Sequence, residues 1–141
     1  MHAEAARVRR LYRLEKVRAI ARQAAAREAA EAEGTLAQLE ALAARTGAMA
    51  EDYRGRTALA DGLELRQLGS FVSGLSAISA TTRGDAVQAR LIADRKQQDL
   101  AQAERRRAAV EDRARAGQRA LDQRLQTPAL GGRRPVGTDL E

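Results

Sequence analysis

Residues 56–62 read Arg-Thr-Ala-Leu-Ala-Asp-Gly, and this stretch decides between one long helix and a helical hairpin. Asp-Gly is a strong turn signal, and a glycine can adopt the left-handed conformation that ends many helices. Proline, the residue that most reliably interrupts a helix, does not occur before Pro128. The sequence therefore predicts helices over residues 4–58 and 64–126 joined by a turn near Asp61-Gly62. A turn within residues 69–74 and an unbroken helix are the alternatives.

Apolar residues recur at alternating steps of three and four through the second predicted helix. Twelve of the eighteen positions in this unbroken heptad phase are apolar. The positions are Leu65, Leu68, Val72, Leu75, Ser79, Thr82, Ala86, Ala89, Ala93, Lys96, Leu100, Ala103, Arg107, Val110, Ala114, Gly117, Leu121 and Arg124. A 3.5-residue repeat sustained over this length is typical of a helix that winds around a partner helix.

The first predicted helix has a heptad phase of its own, with small residues in its middle. Its positions are Leu11, Leu14, Arg18, Ala21, Ala25, Glu28, Ala32, Thr35, Leu39, Leu42, Thr46, Met49, Tyr53, Arg56, Ala60 and Leu63. Alanine at such positions lets two helices approach closely, although each contact buries little area. The two helices have similar lengths, so the predicted fold is all-α, an antiparallel two-helix coiled-coil hairpin.

The composition gives no sign of catalytic chemistry. The 141 residues include no cysteine and a single histidine, His2, so we expect neither a zinc site nor a redox site. No glycine-rich loop follows a strand, so we expect no nucleotide-binding motif. We predict a protein that is not an enzyme and that has no catalytic, cofactor-binding or metal-binding residues and no small-molecule ligand.

The chain ends carry two further expectations. The first fourteen residues are rich in arginine and contain no apolar segment of the kind found in signal peptides, and no stretch approaches a transmembrane helix in length. We therefore expect a cytoplasmic protein. Residues 128–141 contain both prolines and are predicted to be a disordered tail.

Positive charge is concentrated in two segments. The net charge is +6, and residues 1–30 hold eight basic against three acidic residues. Residues 101–127 hold seven basic against four acidic residues, and an antiparallel hairpin would place the two segments side by side. Such a basic end would dock to an acidic surface of a protein or nucleic acid. Arginine-rich codon usage is the alternative explanation.

The stretch from Gln67 to Thr82 contains no charged residue. Phe71 and Ile78 each fall one position before a predicted seam position, where a two-helix hairpin has no third helix to cover them. Tyr53 and Met49 of the first helix would lie near the same place. Exposed apolar side chains of this kind indicate an interaction site, and a widened seam beside the turn is the alternative.

Three segments together resemble the FliJ family of bacterial flagellar export proteins and its injectisome relatives. They are Asp52-Tyr53-Arg54, the segment Leu68-Gly-Ser-Phe-Val-Ser-Gly-Leu-Ser-Ala-Ile78 after the turn, and Glu104-Arg-Arg-Arg107 on the returning helix. The resemblance implies a coiled-coil hairpin similar to the rotor stalk of rotary ATPases. It also implies a cytoplasmic component of the type III protein export apparatus that serves flagellum biogenesis and motility and that is peripheral to the inner membrane through its partners.

The family's partners imply two sets of contact residues. In the family the terminal end of the hairpin enters the hexameric export ATPase, and the matching candidates are Arg7, Arg10, Arg13, Arg105, Arg107 and Arg113. The family's apolar patch meets the membrane export gate and export chaperones, and the matching candidates are Met49, Tyr53, Phe71 and Leu75.

Two other functions remain open from the sequence. A basic coiled coil can bind nucleic acid, although charge alone supports this here, because aromatic residues are not interleaved with the basic ones and no DNA-binding motif is present. The chain could equally be a structural coiled-coil spacer with no specific target.

Overall fold

Two long helices form the protein, as the sequence predicts. The computed structural model describes residues 2–56 and 61–131, with side chains for 2–56 and 61–126. Helix α1 spans His2–Arg56 and helix α2 spans Gly62–Gly131. The helices are antiparallel, and their contacts divide the chain into two compact units, which are Ala25–Leu100 (the central unit) and Met1–Ala24 with Ala101–Glu141 (the terminal unit). The predicted all-α antiparallel hairpin is confirmed.

Asp61 begins the second helix as its N-cap. Its side-chain Oδ1 accepts a hydrogen bond of 3.0 Å from the Glu64 backbone N–H, and its carbonyl accepts one of 2.8 Å from the Leu65 N–H. The predicted boundary near Asp61-Gly62 is therefore correct, although its expected cause is wrong. Gly62 is the first residue of α2, and no described residue has a positive φ, so Gly62 does not end α1 in a left-handed conformation. An acidic side chain satisfies the free N–H groups of the first turn instead.

Both helices differ at their ends from the predicted ranges. α1 begins at His2 and the described part of it ends at Arg56, while the predicted residues 57 and 58 lie outside the described residues. α2 continues to Gly131, five residues beyond its predicted end, and so passes through Pro128. Pro128 has no backbone N–H, so the helix lacks one i→i−4 hydrogen bond in its last turn. The rest of the predicted tail, residues 132–141, lies outside the described residues.

The predicted heptad phase of α2 is the observed one from Leu68 to Leu121, whereas Leu65 and Arg124, the first and last predicted positions, are exposed. In the central unit its buried residues are Val72, Leu75, Ser79, Thr82, Ala86, Ala89 and Ala93. The buried hydroxyls all have partners: Thr82 Oγ1 donates to the Ile78 carbonyl of its own helix, and Ser79 Oγ donates across the seam to the Ala43 carbonyl, at 3.2 Å. Small seam residues thus bring α2 close enough to α1 for a hydrogen bond between the helices.

The predicted phase of α1 is wrong at every second position. One half of the predicted seam positions faces α2 as expected, at residues 11, 18, 25, 32, 39, 46 and 53. The seam positions that alternate with them along α1 lie one residue later than predicted. The buried residues at these later positions include Ala29, Leu36, Ala43 and Ala50. The predicted residues Leu14, Leu42 and Met49 are about 40% exposed instead. Leu36 packs against Ala86, Ala89 and Ala93, where small α2 residues leave room for it, and Ala43 lies next to Ser79, where the two helices come close enough for a hydrogen bond.

The terminal unit has a more polar seam. Val8, Val110 and Ala114 are buried in it, but Glu15, Arg18, Arg22 and Arg107 also occupy or border the interface. Glu15 pairs with Arg107 at 3.5 Å, and Arg22 pairs with Glu104 at 3.7 Å. The Nε atom of Arg18 is buried and has no hydrogen-bond partner among the described residues. No helix in the described part of the chain combines the length and the apolar character needed to cross a bilayer.

Candidate interaction surfaces

One side of the central unit is held by polar contacts between the two helices. Its residues each follow a seam position, and we call them the ionic flank: Glu40, Gly47 and Arg54 of α1 with Ser76, Arg83 and Arg90 of α2. Arg90 pairs with Glu40 at 2.6 Å, and Arg54 donates a hydrogen bond of 2.9 Å to Ser76 Oγ. These contacts join Glu40 to Arg90 and Arg54 to Ser76 across the seam, whereas Arg83 has no carboxylate within 4.0 Å among the described residues.

The other side of the central unit carries large apolar side chains. Its residues each precede a seam position, and we call them the apolar flank: Leu42 and Met49 of α1 with Phe71, Ile78 and Ile92 of α2. All five are between 40% and 55% exposed. In an antiparallel pair, residues before and after the seam lie on opposite sides of the interface. The central unit therefore separates an ionic side from an apolar side.

Phe71 is held in place by an aromatic contact across the seam. Its ring meets that of Tyr53 edge to face, with centroids 5.0 Å apart and planes inclined at 86°. The guanidinium carbon of Arg56 lies 5.1 Å from the Tyr53 ring centroid, on the same helix. Phe71 is nonetheless 47% exposed, so its free face is fixed in orientation and available to a partner.

A groove runs along α2 between Phe71 and Ile78. It has a volume of about 390 Å³ and is lined by these two residues, by Gln67 and Ser70, by Gly74, and by the buried side chain of Leu75. A Cβ atom added at Gly74 would have no neighbour within 4 Å, so the missing side chain leaves open space. Leu75 therefore forms the floor of the groove, whereas Phe71 forms its wall.

The structure brings together the four residues predicted for the export gate, but with different exposure. Met49 and Phe71 are exposed on the apolar flank, Tyr53 is half-buried against Phe71, and Leu75 is buried in the seam. Leu42 and Ile92 belong to the same exposed apolar surface, although neither was predicted from the sequence. Both residues could have been identified because each directly precedes a seam position. For Leu42 this was missed, because the predicted phase of α1 placed Leu42 in the seam itself.

All six arginines predicted for the ATPase belong to the terminal unit, and five of them are exposed. Arg107 differs, because it pairs with Glu111 at 2.9 Å as well as with Glu15 and is half-buried. Its charge is already compensated inside the hairpin. Arg7 and Arg113 line a groove of about 430 Å³ at Gly117, together with Arg124, which pairs with Glu4.

His2 is exposed, and within residues 2–56 and 61–126 no group of three or more His, Cys, Asp or Glu side chains could hold a metal ion. What these surfaces offer is binding, through exposed apolar side chains in one unit and exposed cations in the other. Compared with protein-family models, curated proteins and solved structures, the chain matches none of them.

Proposed function

We propose that this protein is a non-enzymatic component of a bacterial type III export apparatus, in which it binds other proteins of the machine. The local resemblance to FliJ-family sequences suggests the system, and the antiparallel hairpin is the fold that the resemblance implies. The proposed partners are the hexameric export ATPase, the membrane export gate and the export chaperones. Association with the inner membrane would follow from binding the gate.

The observation that carries the proposal is the separation of the central unit into an ionic flank and an apolar flank. A structural spacer would need only the seam, and its outer positions would be polar throughout. Here five large apolar side chains precede seam positions, two on α1 and three on α2, and they recur at seven-residue steps within each helix. The one interruption is Asp85, which occupies the position between Ile78 and Ile92. An apolar face with this spacing on two neighbouring helices suits a third, amphipathic helix from a partner protein.

The gate contact is tested by binding of the cytoplasmic part of the export gate to the full chain. We expect Phe71→Ala to weaken this binding by about tenfold or more, because the free face of an oriented aromatic ring is a typical binding hot spot. Val87→Ala is the matched control, since Val87 is 61% exposed on the same helix but outside the apolar flank. Unchanged binding by a folded Phe71→Ala variant would contradict the proposed contact.

The ATPase contact is tested separately with charge reversals. Arg10 and Arg105 are exposed and have no carboxylate within 4.0 Å among the described residues, so Arg10→Glu with Arg105→Glu removes charge without breaking an ion pair. We expect this double variant to abolish stimulation of the export ATPase from the same organism. Arg45→Glu with Arg95→Glu makes the same change of charge in the central unit and should leave stimulation intact. Equal stimulation by both variants would exclude a contact through the terminal arginines.

A further inference from the structure

The outward face of α1 in the terminal unit combines exposed aliphatic and basic side chains. Leu14, Val17 and Ile20 follow one another at three-residue steps and are 40%, 60% and 68% exposed. Arg10, Arg13 and Lys16 lie between and beside them and are exposed as well. Residues 13 and 20 occupy the heptad position opposite the seam, so this face points away from α2.

The acidic side chains of the same segment are turned to the other helix. The two acidic residues of positions 2–24 are Glu4, which pairs with Arg124, and Glu15, which pairs with Arg107. Arg10, Arg13 and Lys16 have no carboxylate oxygen within 4.0 Å among the described residues. Folding of the hairpin therefore sorts the charges, because it compensates the carboxylates internally and leaves a face that is only apolar and cationic.

We infer that this face binds the surface of an anionic lipid bilayer, an interaction that goes beyond the proposed protein contacts. A helix with aliphatic side chains among cations lies in the interfacial region of a membrane. Its apolar groups enter the acyl boundary, and its Lys and Arg stems extend to the phosphates. Nucleic acid would attract the cations but would leave Val17 and Ile20 in water, and base stacking requires aromatic residues, of which Tyr12 is the one in residues 1–24.

Binding of the full chain to vesicles tests the inference. We expect binding to vesicles that contain phosphatidylglycerol and little binding to pure phosphatidylcholine vesicles, with affinity falling as salt rises. Arg13→Gln with Lys16→Gln should weaken binding by roughly 25-fold, from about fivefold for each cation near an anionic surface. Val17→Ser with Ile20→Ser keeps the charge and should weaken binding by roughly tenfold through lost apolar insertion.

Val87→Ser with Leu91→Ser is the matched control for the aliphatic variant. These side chains are 61% and 60% exposed on α2 of the central unit, so their replacement removes similar apolar area and should not affect vesicle binding. Circular dichroism should show unchanged helicity for all variants, since every substituted residue is exposed. Arg13 is also a candidate for the ATPase contact, whereas Val17 and Ile20 are not. A loss of vesicle binding in Val17→Ser with Ile20→Ser therefore reports on membrane binding and not on the proposed ATPase contact.

Three results would overturn the inference. Vesicle binding that is unaffected by Val17→Ser with Ile20→Ser would indicate a purely electrostatic attraction. Equal loss in the Val87 and Leu91 control would indicate nonspecific adsorption of apolar side chains. Tight binding of duplex DNA without binding to anionic vesicles would assign the face to nucleic acid.

Discussion

Gly117 of α2 packs so closely against Val8 of α1 that a Cβ atom added to the glycine would lie 2.9 Å from Val8 Cγ2. Real Cβ contacts are longer than this, and the β-branched Val8 has one strongly preferred rotamer in a helix. The absence of a side chain at residue 117 is therefore what allows the two helices to approach in the terminal unit. Gly84, also in α2, has no atom within 4 Å of an added Cβ.

Alanine substitutions should distinguish these two glycines. Gly84→Ala is expected to stabilise the protein by about 1 kcal/mol, because alanine favours the helix by that amount. Gly117→Ala gains the same helix propensity but must displace Val8, which costs about 1–3 kcal/mol. We expect thermal unfolding followed by circular dichroism to show a higher midpoint for Gly84→Ala and an unchanged or lower one for Gly117→Ala. Equal stabilisation would mean that Gly117 does not contact Val8.

The corrected seam of α1 predicts unequal effects at two leucines. Leu36 is buried in the cluster with Ala86, Ala89 and Ala93, whereas Leu42 is 41% exposed. Leu36→Ala should lower the free energy of unfolding by about 2 kcal/mol or more, and Leu42→Ala by less than about 1 kcal/mol. Chemical denaturation measures both. A larger loss of stability for Leu42→Ala than for Leu36→Ala would instead support the seam positions of α1 that the sequence alone predicts.

Leu36 and Leu42 also show which part of the fold could not be predicted from the sequence. The all-α hairpin, its boundary near Asp61-Gly62 and the α2 seam followed from proline placement and a long heptad repeat. The α1 phase failed because the adjacent pairs Leu42-Ala43 and Met49-Ala50 offer an apolar residue in either phase. The hydrophobic effect favours the larger residue of each pair at the seam, whereas close approach of the two helices favours the alanine. The width of the gap depends on the small α2 residues opposite, so hydrophobicity along α1 alone cannot decide the phase.

The candidate surfaces were predictable to a similar extent. Phe71 and Ile78 were identifiable because the α2 phase was correct, and the exposed arginines because charge segregates along the chain. The ion pair of Arg107 with Glu15 depends on the register between the helices, which the sequence did not fix, whereas its pair with Glu111 lies within α2 at i,i+4 spacing. The same register places Glu4 beside Arg124 and so leaves the outward face of α1 without acidic residues.

Arg18 offers a test of the polar seam in the terminal unit. Its Nε atom is buried without a hydrogen-bond partner among the described residues, and an unsatisfied buried polar group costs about 1–3 kcal/mol. Arg18→Leu should therefore raise the thermal midpoint, because leucine fills a seam position without this penalty. Arg13→Leu is the control, since Arg13 is exposed and its replacement should have little effect on stability. A lower midpoint for Arg18→Leu would show that the arginine is better satisfied in solution.

Disulfide formation can test the register of the central unit, because the chain has no cysteine of its own. A Cβ atom at residue 47 would lie 3.3 Å from Ser79 Oγ, a distance that suits a disulfide between introduced cysteines. Gly47→Cys with Ser79→Cys should therefore oxidise rapidly to an intramolecular bond. Gly47→Cys with Ala86→Cys moves the second cysteine about 10 Å along α2 and should stay reduced. Faster oxidation of the second pair would indicate a register shifted by one heptad.

The full extent of the apolar flank gives the last prediction, through the residues that the sequence analysis missed. If a partner helix occupies the flank, Leu42→Gln with Ile92→Gln should weaken binding of the export gate by about tenfold or more, as Phe71→Ala does. Both residues are exposed, so the double variant should retain its helicity and its thermal midpoint. Val87→Gln with Leu91→Gln, at apolar residues outside the flank that are about 60% exposed, is the control. Calorimetric titration would measure the affinities. Loss of binding in the Phe71→Ala variant alone would confine the contact to the groove between Phe71 and Ile78, and a third helix along the flank would then be excluded.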